Sequence, residues 1–286
     1  MLRTMTEADV DAGLRLCRSS HWNQLARDWQ QFLRATPGGA TVALDEAGTV
    51  VGTVATLRYA PHLAWIAMVL VDPAVRGRGV GTALLHRGLE QVKDVRTIGL
   101  DATPLGQPLY EKLGFVVHGT LTRLERAADD ATRPAPPRED AHAARIRPAT
   151  REDLGFIVQL DEQATGLARH AMLTWLLEGA PGFAWVRDGW TVDGFVLGRH
   201  GHNFAHLGPI VARSADAALG LVRTCVARHP GRRFIVDVTD HDPAWRAGLE
   251  TLGFRAQRPF ARMYTGTWRP EGDPDLLRAS IGPEFG

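Results

Sequence analysis

The chain has 286 residues, 44% of them hydrophobic and 23% charged, with a formal net charge of +1 and a pI near 8.0. This length suits two domains that each bury a core, and the composition excludes a largely disordered polypeptide. It also excludes the clustered cations that a nucleic-acid backbone requires, the roughly 18-residue apolar run of a membrane helix, and, at Met1–Glu7, the apolar stretch of a signal peptide. A cytoplasmic protein without nucleic-acid or membrane partners is expected. Cys17 and Cys225 fit no zinc spacing, redox pair or disulfide framework.

In chain order, residues 9–18 and 25–33 carry helical periodicity. Residues 41–44 and 50–58 alternate like paired strands around the turn Glu46-Ala47-Gly48. Residues 65–71 form an almost continuous apolar run of strand length, which places that strand centrally in a sheet. A glycine-rich turn follows, then a helical stripe of Ala83, Leu84, Leu85, Leu89 and Val92, a strand at 97–101 and a short helix at 108–113. The alternation gives an α/β (α+β) domain.

Residues 127–143, AADDATRPAPPREDAHA, hold three prolines and few large apolar side chains, and read as a linker. Beyond it the chain starts over. Arg147, Thr150 and Asp153 repeat the spacing of Arg3, Thr6 and Asp9, and Leu252-Gly253-Phe254 repeats Leu113-Gly114-Phe115. A tandem duplication of about 140 residues follows, far longer than solenoid periods. The expected domains are 1–126 and 144–270, with 271–286 as a tail outside the fold.

The segment carrying chemistry is Val71-Asp72-Pro73-Ala74-Val75-Arg76-Gly77-Arg78-Gly79-Val80-Gly81-Thr82. Its glycines permit positive φ and let backbone amides approach a ligand, while the unpaired amides of a helix start attract an anion. Neither the dinucleotide fingerprint nor the nucleotide P-loop fits these glycines. Arg76-x-x-Gly79-x-Gly81 resembles the pyrophosphate motif of the GCN5-related N-acetyltransferase (GNAT) superfamily. Pro108-Leu109-Tyr110-Glu111-Lys112-Leu113-Gly114-Phe115 resembles that family's final motif.

The resemblance implies two tandem GNAT-like domains, each a mixed, mostly antiparallel central sheet flanked by helices, the second degenerate. It implies direct attack of an amine on the thioester of acetyl-CoA, without an acyl-enzyme or a metal. Backbone groups of Val69 and Val71 would bond the pantetheine arm, and amides of Arg76, Gly77, Arg78, Gly79, Val80, Gly81 and Thr82 the pyrophosphate. Tyr110 matches the family's general acid. Many relatives place a basic glutamate on the central strand, but Trp65-Ile66-Ala67-Met68 offers no carboxylate. Asp101 is the candidate base, with His21 and His62 as further options.

In the second half, Leu249 falls opposite Tyr110, and Ala212–Ala217 holds no glycine, so this half is expected to bind CoA poorly or not at all. Asp237, Asp240 and His241 are its candidate substrate-binding residues. His200, His202 and His206 lack a clear ligand set, and no metal is expected. The leading reading is acetylation of a small primary amine by a monomer, with a homodimer and longer acyl donors left open. Acetylation of a protein lysine or N-terminus, and a CoA-binding sensor or scaffold without turnover, are the alternatives.

Overall fold

A computed structural model of the chain describes residues 1–59, 62–128, 145–189 and 191–286. The first half runs β1 (Leu2–Thr4), α1 (Val10–Ser19), α2 (Ala26–Ala35), β2 (Ala40–Leu44), β3 (Val50–Tyr59), β4 (Leu63–Val71), α3 (Val80–Gln91), β5 (Thr97–Ala102), α4 (Gln107–Glu111) and β6 (Val116–Arg126). The second runs β7 (Ile146–Pro148), α5 (Leu154–Thr165), α6 (His170–Gly179), β8 (Trp185–Asp188), β9 (Val192–Arg199), β10 (Ala205–Ala212), α7 (Ala215–Ala227), β11 (Phe234–Thr239), α8 (Pro243–Thr251), β12 (Arg255–Gly266) and a final β13 (Leu277–Ala279). The expected linker falls almost wholly outside the described residues. No helix among the described residues is long and apolar enough to cross a membrane.

Both sequence echoes have a physical cause. Arg3 bridges Asp9 at 2.7 Å while Asp9 also accepts from the Thr6 amide; Arg147, Asp153 and Thr150 repeat this arrangement. Each aspartate thereby closes the first turn ahead of its helix and anchors the preceding strand. In the second echo, Phe115 N donates to Tyr110 O and Phe254 N to Leu249 O, both at 3.1 Å, across a left-handed glycine. This shared helix-ending geometry places Leu249 opposite Tyr110.

The chain forms two compact units. Unit 1 comprises Met1–His118, Ala261–Arg269 and Pro283–Gly286; unit 2 comprises Gly119–Phe260 and Pro270–Gly282. In unit 1 the strand order is β1-β2-β3-β4-β5, with the Ala261–Gly266 stretch of β12 antiparallel on β5. Among its described strands only β4 and β5 are parallel. Leu84 and Leu85 of α3 pack on Val54, Ile66 and Leu100 of the sheet. Trp29 and Phe32 of α2 are buried, as are Leu16 and Cys17 of α1.

Unit 2 repeats the pattern, with β6 on β11 from Leu121–Thr239 to Arg126–Phe234 and a parallel β10–β11 pair. The last strands of the two halves are therefore exchanged: β5 takes β12 and β11 takes β6.

The tail expected outside the fold is part of it. Leu277–Ala279 is β13 of unit 2. In unit 1, Phe285 is fully buried and stacks on Phe32 at 5.0 Å, Gln24 Nε2 donates to Glu284 at 2.8 Å, and Trp65 Nε1 donates to Pro283 O at 2.9 Å. Tyr59 donates its hydroxyl to Phe285 O. The Gly-Pro ending suggested a loose terminus, but one aromatic anchor and three side-chain bonds to the segment offset the entropy of fixing it.

Candidate active site

The site is built where β4 leaves β5. The parallel ladder pairs Leu63 with Thr97, Ala64 with Ile98 and Trp65 with Gly99, and its register goes no further. Beyond it, β4 carries a bulge: Thr53 faces Leu70 and Ala55 faces Ala67, so Met68 and Val69 together oppose Val54. Met68 takes φ of 55°, and its carbonyl accepts from the buried Thr53 hydroxyl at 2.8 Å. A bulge re-aims the strand locally, and Val69 and Val71 beyond it are only partly buried.

At the end of β4 the chain turns. Asp72 accepts from the Ala74 amide at 3.1 Å and from Arg15 at 2.8 Å, bonds that hold its carboxyl below the ordinary range. Arg76 Nε donates to Val71 O at 3.1 Å, fixing the loop on the strand end. Gly77 and Gly79 have φ of 77° and 80°, and a Cβ on either would project into open space. Gly79 is the N-cap of α3, whose first-turn amides lie ahead of the bond from Ala83 N to Gly79 O. The loop is solvent-exposed from Arg76 to Gly79. Two left-handed glycines, a helix start and Arg76 and Arg78 together form an exposed turn whose amides and cations could hold an anion.

Tyr110 lies on α4, edge-on to Phe115 at 6.0 Å. Tyr110 is partly buried, and desolvation of its ring end raises the hydroxyl pKa. No hydrogen bond from that hydroxyl to any described residue is formed, so its proton is not committed to the fold.

The sheet face bearing Trp65 is aromatic and ionic. A Cβ on Gly99 would lie 2.4 Å from Trp65 and 2.7 Å from Tyr264, so only glycine lets these two rings meet across β5, at 6.0 Å. Two residues along, the Asp101 side chain is buried and receives Arg262 in two bonds of 2.9 and 2.8 Å, with the guanidinium 5.1 Å over Trp65. Asp101 is thus no free base: both oxygens are engaged. His118 Nε2 lies 2.8 Å from Arg269, and partial desolvation with that cation lowers its pKa, keeping the imidazole neutral near pH 7. Arg262, Tyr264 and His118 escaped the sequence reading because nothing local marks them; only the exchanged β12 brings Arg262 and Tyr264 to β5.

Of the other histidines, His21 is exposed with φ of 56°. His62 packs on Trp268 at 5.4 Å, ahead of β4 and some 20 Å from its bulge at strand rise. His62 does not reach the site.

The expected substrate residues of unit 2 are placed differently. Asp237 is fully buried, held by Arg123 in two 2.7 Å bonds, with His206 Nε2 at 3.0 Å. Burial works to raise this carboxyl, yet Arg123 and His206 outweigh it and hold it far down. Asp237 is therefore a core ion pair and cannot meet a substrate. Asp240 accepts from Thr122 at 2.8 Å and His241 is exposed, both at the turn into α8. Burial lowers the His206 pKa, and Arg199 lies 2.9 Å from its Nδ1. His200 pairs with Arg232 at 2.7 Å. Among the described residues, no three His, Cys, Asp or Glu side chains are grouped to hold a metal.

Comparison with known proteins agrees with this geometry. The Acetyltransferase (GNAT) family model matches residues 8–115, and an Acetyltransferase (GNAT) domain model matches 157–277. Holothin acyltransferase of Pseudoalteromonas sp. (strain SANK 73390) is 28% identical over 254 residues, covering 85% of this chain and 83% of the relative. A GCN5-related N-acetyltransferase from Sphaerobacter thermophilus has the same fold, with TM-score 0.69 at 18% identity, covering 97% and 98% of the two chains. So does a tandem GNAT protein from the clavulanic acid biosynthesis pathway, with TM-score 0.65 at 16% identity, covering 93% and 98%. The chain belongs to the GNAT family as a tandem of two such domains, and is an N-acyltransferase that draws its acyl group from acyl-CoA.

Proposed function

We propose that unit 1 transfers an acetyl group from acetyl-CoA to the primary amine of a small molecule, with Tyr110 as the general acid. Acetyl-CoA bound there supplies the acyl thioester. Amides from Arg76 to Thr82 hold the pyrophosphate, and backbone groups of Val69 and Val71, beyond the end of the β4–β5 ladder, orient the pantetheine arm. The observation that carries the reading is the uncommitted Tyr110 hydroxyl, which stays protonated across neutral pH.

Asp101 is reassigned a positioning role: it holds Arg262 over Trp65 and so shapes the acceptor side of the sheet. A relative named holothin acyltransferase, aligned over most of both chains, supports a small-molecule acceptor.

The test is thiol release from acetyl-CoA over a panel of small amines and peptides, with wild type and Tyr110→Phe compared. Turnover on a small amine is expected, with kcat about 100-fold lower in the variant and KM for acetyl-CoA unchanged. Full activity of Tyr110→Phe would remove it as the acid. Turnover confined to peptides would replace the acceptor class.

A further inference from the structure

Each element from β1 to β6 recurs in order from β7 to β12, and among the described residues β13 has no counterpart in the first half. Its position in unit 2 gives it a role. There the parallel β10–β11 ladder covers only Ala205–Phe234 and His206–Ile235 before it opens, as β4–β5 does after Trp65–Gly99. In unit 2 the opening is filled. Ala279 of β13 faces Ile210 of β10 on one side and Val238 of β11 on the other, and Leu277 faces Val211. Main-chain bonds extend the insertion at both ends: Ala212 N donates to Leu276 O and Ser280 N to Asp237 O, each at 3.0 Å.

Strand β10 carries the same bulge as β4, with Gly208 and Pro209 opposing Leu197 as Met68 and Val69 oppose Val54, so Val211 corresponds to Val71. The backbone position given above to the pantetheine arm is thus occupied in unit 2 by Leu277. The insertion is firmly held. Ala279 and Ile281 are fully buried, Trp245 Nε1 donates to Arg278 O at 2.8 Å, and Arg278 forms an ion pair with Asp242 at the start of α8. Contact with β10 is close enough that a Cβ on Gly208 would lie 1.9 Å from Ser280 O.

The geometry points to β13 as a built-in occupant of the acyl-CoA slot of unit 2, a peptide strand standing where unit 1 receives the pantetheine arm. The chain therefore has a single acyl-CoA site. The second half is closed to the cofactor by its own backbone, beyond lacking the glycine turn. This inference rests on the reading of unit 1 given above.

Calorimetric titration of the full chain with acetyl-CoA, paired with amide hydrogen exchange, tests it. The expected result is one acetyl-CoA per chain, none in Gly79→Asp, and slow exchange at 277–281 that saturating acetyl-CoA leaves unchanged. Two sites per chain, or binding retained in Gly79→Asp with altered exchange in β10 or β13, would overturn it, as would fast exchange at 277–281 in the free protein. If wild type bound no acetyl-CoA while 277–281 exchanged slowly, the reading of unit 1 would fail and the occupancy of unit 2 by β13 would stand.

Discussion

Gly79→Ala separates the backbone demand of the cofactor loop from its ligand contact. Gly79 sits at φ 80°, ψ 0°, as the cap of α3. An L-residue held there costs about 1–2 kcal/mol. The new Cβ meets no protein atom within 4 Å, so it adds no clash to the free protein and projects into the space given to the pyrophosphate. Gly48 is a matched control: it also has φ of 80° and an open Cβ direction, but lies in the β2–β3 turn. Both alanine variants are expected to lose about 1 kcal/mol, a few degrees in Tm for a chain this large. Only Gly79→Ala should raise KM for acetyl-CoA, by tenfold or more, equivalent to about 1.4 kcal/mol. Thermal melts and steady-state kinetics of the pair decide it. An unchanged KM in Gly79→Ala, or an equal rise in Gly48→Ala, would refute the assignment of this loop to the cofactor.

Two further predictions concern the paired carboxylates. The Asp9 carboxyl is held down to about 2, chiefly by Arg3, against the opposing effect of burial. A carboxyl lowered on folding contributes stability above its unfolded pKa of about 3.9 and loses it as pH falls toward the folded value. Asp9→Asn should therefore cost about 1–2 kcal/mol at pH 7, allowing for the half-exposed Arg3, with the difference from wild type shrinking between about pH 4 and 2 in denaturant titrations. A pH-independent difference would contradict this. Asp237→Asn leaves Arg123 buried without a counter-charge and should destabilise unit 2 by about 3–5 kcal/mol in urea unfolding; a loss below about 1 kcal/mol would show the pair to be dispensable.

What the sequence disclosed was chemistry written locally. The glycine spacing from Gly77 to Gly81 encodes a backbone conformation, and Leu-Gly-Phe encodes a helix ending. Both are short-range devices legible without partners. Asp237 was misread for the opposite reason: its role depends on Arg123, which is 114 residues away and joins it only through the β6–β11 pairing. Asp101 and Arg262, separated by 161 residues, are hidden in the same way. The exchange of β6 and β12 is invisible in a repeat, because both strands follow the same Leu-Gly-Phe turn and carry no local mark of which sheet they join. Phe285 escaped notice as one aromatic beside Gly and Pro, since burial of a single side chain leaves no periodicity to detect.

That exchange yields a last prediction, on whether the motif-bearing half can act alone. Residues 1–126 contain the glycine cradle and Tyr110 but lack Ala261–Gly266, which pair with β5 from Ala102 to Thr97. Without them β5 becomes an open edge with unpaired amides and carbonyls, a template for aggregation. Asp101 also loses Arg262, and a buried carboxylate stripped of its partner costs about 3–5 kcal/mol, comparable to much of a domain's net stability. Phe32 and Trp65 would in addition lose the cover of Pro283–Gly286. The isolated 1–126 fragment is therefore expected to be aggregated or unfolded by circular dichroism and size exclusion, and to bind no acetyl-CoA. A folded monomeric fragment with wild-type turnover would show that β12 is dispensable to unit 1. Failure of the fragment would explain why a second half whose own slot is closed by β13 is still needed: it carries the strand that completes the catalytic sheet.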